Sequence, residues 1–170
     1  MLIDKLNYRA IARWAAIACS TTALSLPIFL SCQSIAWADT APYASDIETL
    51  QQSNQRWIQI DLSRQRLIAW EGNTPVYAVI VSTGKPETPT LTGVFAVQYR
   101  FQTARMQGDD YDVPDVPFTM YYDGNYAIHG AYWHHNFGTP VSHGCINVAV
   151  DHAEWLFNWS SIGTPVVVHD

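Results

Sequence analysis

The residue with the clearest capacity for chemistry is Cys145, in the run Ser142-His143-Gly144-Cys145. A cysteine acts as a nucleophile only as its thiolate, so it needs a neighbouring base or positive potential to lower the pKa of the thiol. Two histidines are candidates for this base: His143 stands two positions before the cysteine, and His129 stands sixteen residues upstream. The combination predicts acyl transfer by a cysteine nucleophile.

His129 is the better candidate for the base. It follows the predicted strand 126–128 directly, and a strand end holds a side chain rigidly toward a site built from loops. The alternative is a histidine whose hydrogen bonds merely satisfy the sheet. The chain direction at His143 points that side chain away from the thiol, so we expect it to support the oxyanion site first and to act as a base only second.

Gly144 lets the backbone make a tight turn before the nucleophile and lets a substrate approach closely. The backbone amides of His143, Gly144 and Cys145 would then lie near the thiol, where an oxyanion forms. The alternative reading of Cys145 is a small buried apolar residue, a common role for cysteine.

The loop between the two histidines also carries His134, His135 and Asn136. Histidine and cysteine are zinc ligands, so a metal site is an alternative. Adjacent histidines diverge in direction, however, and no glutamate is placed like the base of a metal hydrolase. We therefore predict no metal, and we assign this loop to loop or substrate contacts.

Strand patterns dominate the chain around this site. The predicted strands are 57–62 and 66–70, joined as a hairpin, then 76–82, 93–101, 116–122, 126–128 and 166–168. The nearly all-apolar run 76–82 predicts a central strand that is buried on both faces. A helix is predicted from Val150 to Trp159, with Asp151 near its start, where a negative charge suits the helix dipole. The expected fold is mainly β, a small sandwich or barrel with one packed helix.

Residues 102–115 contain four aspartates, at positions 109, 110, 112 and 115. A calcium loop is one interpretation, but the segment lacks the central glycine and terminal glutamate of an EF-hand. We expect a solvated loop.

Residues 1–38 differ in character from the rest of the chain. Lys5, Arg9 and Arg13 precede a largely uncharged stretch, and Ala36-Trp37-Ala38 supplies small residues at a cleavage site. This pattern predicts a signal peptide, and therefore a protein of the periplasm or cell envelope. The alternative is an uncleaved membrane anchor, which would tether the domain to the membrane.

Two of the three cysteines, Cys19 and Cys32, belong to this leader. Lipidation at Cys32 is a third option, but Phe29 fits a lipoprotein signal poorly. Cleavage would leave Cys145 as the one thiol of the mature chain, and an unpaired thiol in an oxidising compartment indicates a reactive group.

Residues 39–55 are expected to be a linker, with a short helix around 46–52 as an alternative, and residues 56–170 to be one domain. The formal net charge is −6 and no basic stripe is present, which argues against nucleic acid as a partner. A monomer is expected.

The run from Phe137 to Asn147, together with Ile128-His129-Gly130, resembles the signature of the L,D-transpeptidase (YkuD-like) catalytic domain family. The likeness extends upstream to segments 60–67, 81–84 and 89–95, and downstream to 163–166, so it covers about residues 56–170.

The resemblance implies a β-rich sandwich with Cys145 as nucleophile, His129 as base and peptidoglycan stem peptides as substrate, without a cofactor. It further implies that the Gly130 carbonyl orients the imidazole. The expected support residues are Gly130, Ser142, His143 and Gly144, and the expected substrate contacts are Tyr132, Trp133, His134, His135 and Asn147.

The expected reaction is a transpeptidation that forms 3–3 cross-links through a thioester on Cys145. An L,D-carboxypeptidase, with water as acceptor, uses the same cysteine and histidine and is the first alternative. The second is a non-catalytic metal- or wall-binding module in which the histidines are ligands.

Overall fold

A computed structural model describes residues 43–170, so the predicted leader 1–38 lies outside the described residues. Residues 43–170 form nine strands and two helices. In chain order these are α1 (Ala44–Gln51), β1 (Arg56–Asp61), β2 (Arg66–Glu71), β3 (Thr74–Ile80), β4 (Gly93–Ala96), β5 (Tyr99–Gln107), β6 (Asp112–Asp123), β7 (Tyr126–Gly130), β8 (Ile146–Val148), α2 (Val150–Trp159) and β9 (Pro165–His169).

The strands form two sheets, one of five strands in the order β3-β2-β1-β9-β4 and one of four in the order β5-β6-β7-β8. A single hydrophobic cluster joins them: Ile58 and Val166 come from the first sheet, Met120 and Ile128 from the second, and Leu156 from α2. The predicted β-sandwich with one packed helix is therefore confirmed.

The centre of the five-stranded sheet combines strands from distant parts of the chain. β1 pairs with β2 in an antiparallel hairpin, as predicted, and on its other side it pairs in parallel with β9. The apolar run Val166-Val167-Val168 is wholly buried, as expected of a strand with neighbours on both sides and covered faces.

The two helices differ in their relation to the core. Ala153, Leu156 and Phe157 of α2 are buried, at the spacing of one helix face. α1 lies within the predicted linker 39–55, where the short helix was the alternative, and none of its residues is buried. Neither helix within residues 43–170 is long and apolar enough to cross a membrane.

The prediction for 76–82 was wrong in its burial. β3 lies at the edge of its sheet, and Val76 and Ile80 are 37% and 48% exposed. Within β3 only Val79 is buried, and the other buried residues of the run, Val81 and Ser82, come after the strand has ended. An apolar run alone does not distinguish an edge strand from a central one.

The predictions for 93–101 and 102–115 also need correction. The first segment is not one strand, because β4 and β5 belong to different sheets. The second is neither a solvated loop nor a calcium loop, because β5 continues to Gln107 and β6 begins at Asp112. Arg105 and Asp112 form an ion pair across this hairpin, and such cross-strand pairs stabilise the pairing of two strands.

Candidate active site

A cavity of about 370 Å³ opens at the carboxyl end of β7. Cys145 and His129, the predicted nucleophile and base, both line it. The complete lining is Met106, Tyr111, Val113, His129, Trp133, His134, Asn136, Val141, Ser142, His143, Cys145 and Asn147.

The pairing of β7 with β8 brings the reactive groups together. The two strands are parallel, and His129 lies opposite Asn147 in their register. Side chains two residues apart on an extended chain point to the same side, so Cys145, just before β8, faces the same cavity as Asn147. His129 and Cys145, sixteen positions apart in sequence, are thus brought to the same cavity.

The hydrogen bonds of His129 fix the position of its proton. Its Nδ1 lies 3.1 Å from the Gly130 carbonyl oxygen. A carbonyl oxygen only accepts, so Nδ1 carries the proton and Nε2 keeps a lone pair. His129 is 2% exposed, and this burial lowers the pKa of the imidazole to about 4. The ring is therefore a neutral base at neutral pH, and Trp133 packs at 5.7 Å between ring centroids.

The environment of Cys145 also favours the uncharged form. Burial raises the pKa of the thiol to about 11, and the sulfur lies 3.6 Å from the Asn125 carbonyl oxygen. In the free protein the pair is thus a neutral thiol and a neutral imidazole. Ionisation of the thiol requires that a base take its proton as the sulfur attacks.

Ser142 braces the turn that carries the nucleophile. Its Oγ accepts the Gly144 N–H at 3.0 Å and donates to the Cys145 carbonyl at 2.6 Å. The Gly144 amide is therefore already bonded, in contrast to the expectation that three amides face the oxyanion. The N–H groups of His143 and Cys145 are the ones that remain for that role.

Only glycine fits at position 144. Its φ is +114°, and a Cβ at this position would lie 2.6 Å from the ring of Tyr126. Both the backbone conformation and the close approach of the ring demand glycine.

Three threonines make hydrogen bonds to the loop that carries Cys145. The sequence had not indicated that they belong to the site. Thr90 Oγ1 donates to the Gly144 carbonyl at 2.8 Å, and Thr88 Oγ1 donates to the Ser142 carbonyl at 3.1 Å. The Thr83 carbonyl accepts the N–H groups of Val141 and Ser142, each at 3.0 Å. The clustering of these threonines around Gly84 was the only signal in the sequence. Nothing near them in sequence indicated contact with a loop more than fifty residues away.

The side-chain contacts of His143 are with residues at the rim of the cavity. Its Nε2 lies 3.1 Å from the Asp110 carboxylate and 3.4 Å from the Lys85 ammonium. The ring also packs on Tyr111, with centroids 4.7 Å apart. The hydrogen bond from His143 lowers the pKa of the Asp110 carboxyl. Asp110 and Tyr111 come from the turn between β5 and β6, the segment that had been predicted as a solvated loop.

The predicted substrate contacts divide into two groups. Trp133, His134 and Asn147 line the cavity, whereas Tyr132 and His135 are exposed and lie outside its lining. Tyr132 instead donates to the Pro114 carbonyl at 2.7 Å.

The structure adds lining residues that the sequence did not single out: Met106, Tyr111, Val113 and Val141. Three of these come from the β5–β6 hairpin, which was not predicted. Within residues 43–170, no group of three or more His, Cys, Asp or Glu side chains is arranged to hold a metal ion.

Comparison with known proteins agrees with this geometry. The family model of the L,D-transpeptidase catalytic domain (YkuD) matches residues 55–168. The chain therefore belongs to the L,D-transpeptidase catalytic domain family.

Individual relatives are consistent with this assignment. The chain is 33% identical over 100 residues to L,D-transpeptidase 1 of Mycobacterium tuberculosis, covering 51% of this chain and 39% of that protein. The catalytic domain of the E. faecium L,D-transpeptidase is 31% identical with a TM-score of 0.62, and the match covers 68% of this chain and 98% of that domain. An L,D-transpeptidase from Mycobacterium tuberculosis H37Rv is 25% identical with a TM-score of 0.63, covering 68% and 57%.

The matches to whole proteins are partial. The chain spans less than two fifths of the length of the curated mycobacterial relatives that it matches.

Proposed function

We propose that this protein is a peptidoglycan L,D-transpeptidase that forms 3–3 cross-links between stem peptides through a thioester on Cys145. One observation carries the proposal. A neutral imidazole whose Nε2 keeps a lone pair lines the same cavity as the free thiol of the described chain. Membership of the L,D-transpeptidase family supports the substrate class.

In the first half-reaction, Nε2 of His129 takes the proton of the Cys145 thiol as the sulfur attacks the carbonyl carbon of the third stem residue. The carbonyl oxygen becomes an oxyanion that the backbone amides of the nucleophile turn stabilise. The bond to the terminal D-Ala then breaks, and the leaving amine takes the proton from the His129 imidazolium. A thioester on Cys145 remains.

In the second half-reaction, a side-chain amine of a neighbouring stem peptide attacks the thioester. Its proton passes to His129, and the sulfur leaves and recovers that proton as the thiol. Water competes with the amine for the thioester, so the cavity must favour the amine. Apolar rings at its edge, Trp133 and Tyr111, would contribute by restricting access of water.

The deciding experiment incubates the purified protein with tetrapeptide muropeptides and analyses the products by mass spectrometry. A cross-linked dimer that has lost one D-Ala supports transpeptidation. If only trimmed tripeptides form, the protein is instead an L,D-carboxypeptidase, in which water is the acceptor. Absence of both products would contradict either activity.

The nucleophile is tested by Cys145→Ala. The substitution should remove turnover by on the order of 10⁴-fold or more, and it should abolish covalent labelling by a carbapenem. Labelling of the variant within this domain would show that another group is the nucleophile. Cys145→Ser provides a matched control, since it replaces the thiol with a hydroxyl of similar shape that is a far weaker nucleophile.

The proposed location is the periplasm or cell envelope, where the predicted signal peptide would deliver the chain. Cell fractionation with N-terminal sequencing tests this. A mature protein that begins near Asp39 supports cleavage, and an intact leader in the membrane fraction supports the anchor instead.

A further inference from the structure

Two exposed aromatic residues of β5 lie outside the cavity and have no part in the proposed mechanism. Tyr99 and Phe101 are 61% and 49% exposed. Arg100, between them, turns to the opposite face of the sheet, where its guanidinium lies 4.1 Å from the centroid of the Phe157 ring of α2. Because side chains alternate along a strand, both aromatic rings lie on the outer face of the four-stranded sheet.

Tyr121 of β6 completes this group. It lies opposite Tyr99 in the strand register, so the two side chains share a face. Its ring meets that of Phe101 with the centroids 6.1 Å apart and the planes at 77°. We call Tyr99, Phe101 and Tyr121 the aromatic strip. A contiguous patch of exposed apolar side chains indicates a binding surface, whereas scattered single residues do not.

The aromatic strip is continuous with the surroundings of the nucleophile. Tyr121 lies opposite Ala127 in the register, and Ala127 and His129 face the same side of β7 because they are two residues apart. Tyr121 and Cys145 both pack against one small hydrophobic cluster, which contains Ala127. The nucleophile, the base and the aromatic strip therefore occupy one face of one sheet.

The distances along this face suit a substrate in which a peptide is joined to a sugar. Neighbouring strands are about 4.8 Å apart, so the backbone of β6 lies roughly 10 Å, and that of β5 roughly 14 Å, from the backbone beside β8 at Cys145. The proposed mechanism attacks the carbonyl of the third stem residue, and three extended residues span about 10 Å. The sugar that bears the stem peptide can therefore reach the aromatic strip while that carbonyl is at Cys145.

The chemistry of the aromatic strip fits an uncharged sugar. Tyr99, Phe101 and the next outward residue of β5, Thr103, carry no charge, and the formal net charge of −6 on the chain disfavours anionic polymers. The faces of a pyranose ring present C–H groups that pack against an aromatic ring by dispersion. The N-acetylated sugars of a glycan strand are uncharged where their carboxyl groups are amide-linked to stem peptides.

The backbone of β5 adds hydrogen-bonding groups beside the rings. Within residues 43–170, β5 is an edge strand of its sheet. Along an edge strand, every second residue directs its backbone N–H and C=O away from the sheet, where a ligand can bond to them. An acetamido group has one N–H and one C=O of its own, so it matches a backbone amide as both donor and acceptor.

We propose that the aromatic strip binds the glycan strand that carries the reacting stem peptide, with N-acetylated sugars stacked on Tyr99 and Phe101. This role rests on the proposed function, because the stem peptide of the bound strand is the one that enters the cavity. The strip contacts no reacting atom, so its residues bind substrate and are not catalytic.

The first test measures binding without any reaction. The probe is the tetramer of N-acetylglucosamine, which contains no peptide. Titration into the ¹⁵N-labelled protein should shift the backbone amide signals of residues 99–101 and 121. Tyr99→Ala and Phe101→Ala should each weaken binding by about 3- to 10-fold, the loss expected for one aromatic stacking contact. No binding, or binding that both variants retain at the strength of the parent, would overturn the proposal.

Two matched variants show whether the rings themselves are responsible. Tyr99→Phe keeps the ring and should bind the tetramer within about twofold of the parent. Val76→Ala removes an exposed apolar side chain from β3, an edge strand of the other sheet, and should also leave binding unchanged. A loss in Val76→Ala equal to that in Tyr99→Ala would overturn the assignment to the aromatic strip. Thermal unfolding of each variant checks that the fold is intact.

The second test compares a donor with its sugar and a donor without it. The double variant Tyr99→Ala with Phe101→Ala should raise KM for a disaccharide-linked tetrapeptide by about 10-fold or more and leave kcat unchanged, as loss of uniform binding does. For the free tetrapeptide, both constants should stay within about twofold of the parent. Equal losses with the two donors would overturn a role in sugar binding.

Two other occupants of the aromatic strip would give different results. If the parent self-associates in analytical ultracentrifugation and the double variant does not, the strip is an interface between copies of the chain. If the parent sediments with vesicles of phosphatidylcholine and phosphatidylglycerol and the double variant does not, the strip is a membrane-binding surface. Either result, without binding of the tetramer, would overturn the proposal.

Labelling of Cys145 by a carbapenem distinguishes failure of this proposal from failure of the proposed function. If the parent neither turns over muropeptides nor is acylated, the proposed function fails, and a role for the strip in presenting the reacting stem peptide fails with it. If the parent does both but does not bind the tetramer, the glycan-binding role alone fails.

Discussion

Two histidines that line the same cavity, His129 and His143, differ in burial and in hydrogen-bond partner. On the β7–β8 side, His129 is buried, and a carbonyl holds its proton on Nδ1. On the rim, His143 is partly exposed, and its Nε2 donates to the carboxylate of Asp110. A carboxylate partner commits that nitrogen as a donor, whereas burial beside a carbonyl leaves His129 a free lone pair. The hydrogen-bond partners therefore favour His129 over His143 as the base, although His143 is nearer to the cysteine in sequence.

The largest expected difference between the two sides is catalytic. His129→Gln should lower kcat/KM by about 10²- to 10⁴-fold, the range that general-base catalysis contributes. His143→Gln keeps a donor for Asp110 and should lower it by no more than about 10-fold. Steady-state kinetics with muropeptide substrate measures both. Equal losses would remove the distinction between base and rim.

The next difference concerns the turn between the two sides. Gly144→Ala should destabilise the protein by about 1–3 kcal/mol and lower activity, because a positive φ and contact with the Tyr126 ring both oppose a side chain. Gly124→Ala is the matched control, since its φ is also positive, at +48°, but nothing lies within 4 Å of the added Cβ. Chemical denaturation gives both free energies, and equal values would show that the ring contact contributes nothing.

Acid should destabilise the folded protein, because His129 is buried as a neutral ring. Between pH 6.5 and about 4, the unfolded chain binds a proton at His129 that the folded protein does not bind. The free energy of unfolding should therefore fall as the pH falls through this window, by at most about 3 kcal/mol from this residue. His129→Gln should flatten this dependence. Denaturation at a series of pH values checks it, and parallel curves for parent and variant would contradict the burial of a neutral ring.

The smallest effect should come from the rim. Asp110→Asn removes the charge that faces His143 and Lys85 but leaves a hydrogen-bond acceptor in place. Ion pairs this exposed contribute little and are screened by salt. We expect kcat/KM to change less than about threefold, with the change shrinking as NaCl is raised. A loss comparable to that of His129→Gln would place the rim among the essential parts of the site.

The buried side of the cavity was the part most accessible to prediction from sequence. His129 and Cys145 are marked by residue type, by glycine neighbours and by the predicted strand that leads into the histidine, although β7 itself continues through His129 to Gly130. The rim was not predicted, because His143 meets Asp110 across 33 residues of sequence and the hairpin that carries Asp110 was taken for a loop. Aspartate is depleted in strands generally, and within the hairpin the cross-strand partner Arg105 compensates Asp112.

The errors in the fold have the same origin. Local composition indicated correctly that Val76 and its neighbours form a strand, but whether a strand is central or at an edge depends on which distant segments pair with it. The parallel pairing of β1 with β9 is such a non-local fact. Similarly, the chain breaks between β4 and β5 because the two strands join different sheets, and no local signal in the sequence marks this change.

The pairing of β1 with β9 also has a consequence for how the chain folds. Gln59 and His169, whose side chains meet at 2.9 Å, are 110 residues apart, so the five-stranded sheet forms only when almost the entire domain is closed into one loop. Contacts of such high sequence separation slow folding, and until β9 inserts, the flanks of β1 and β4 present unpaired backbone groups that invite aggregation. The centre of this sheet is therefore expected to form late in folding, when β9 inserts between β1 and β4.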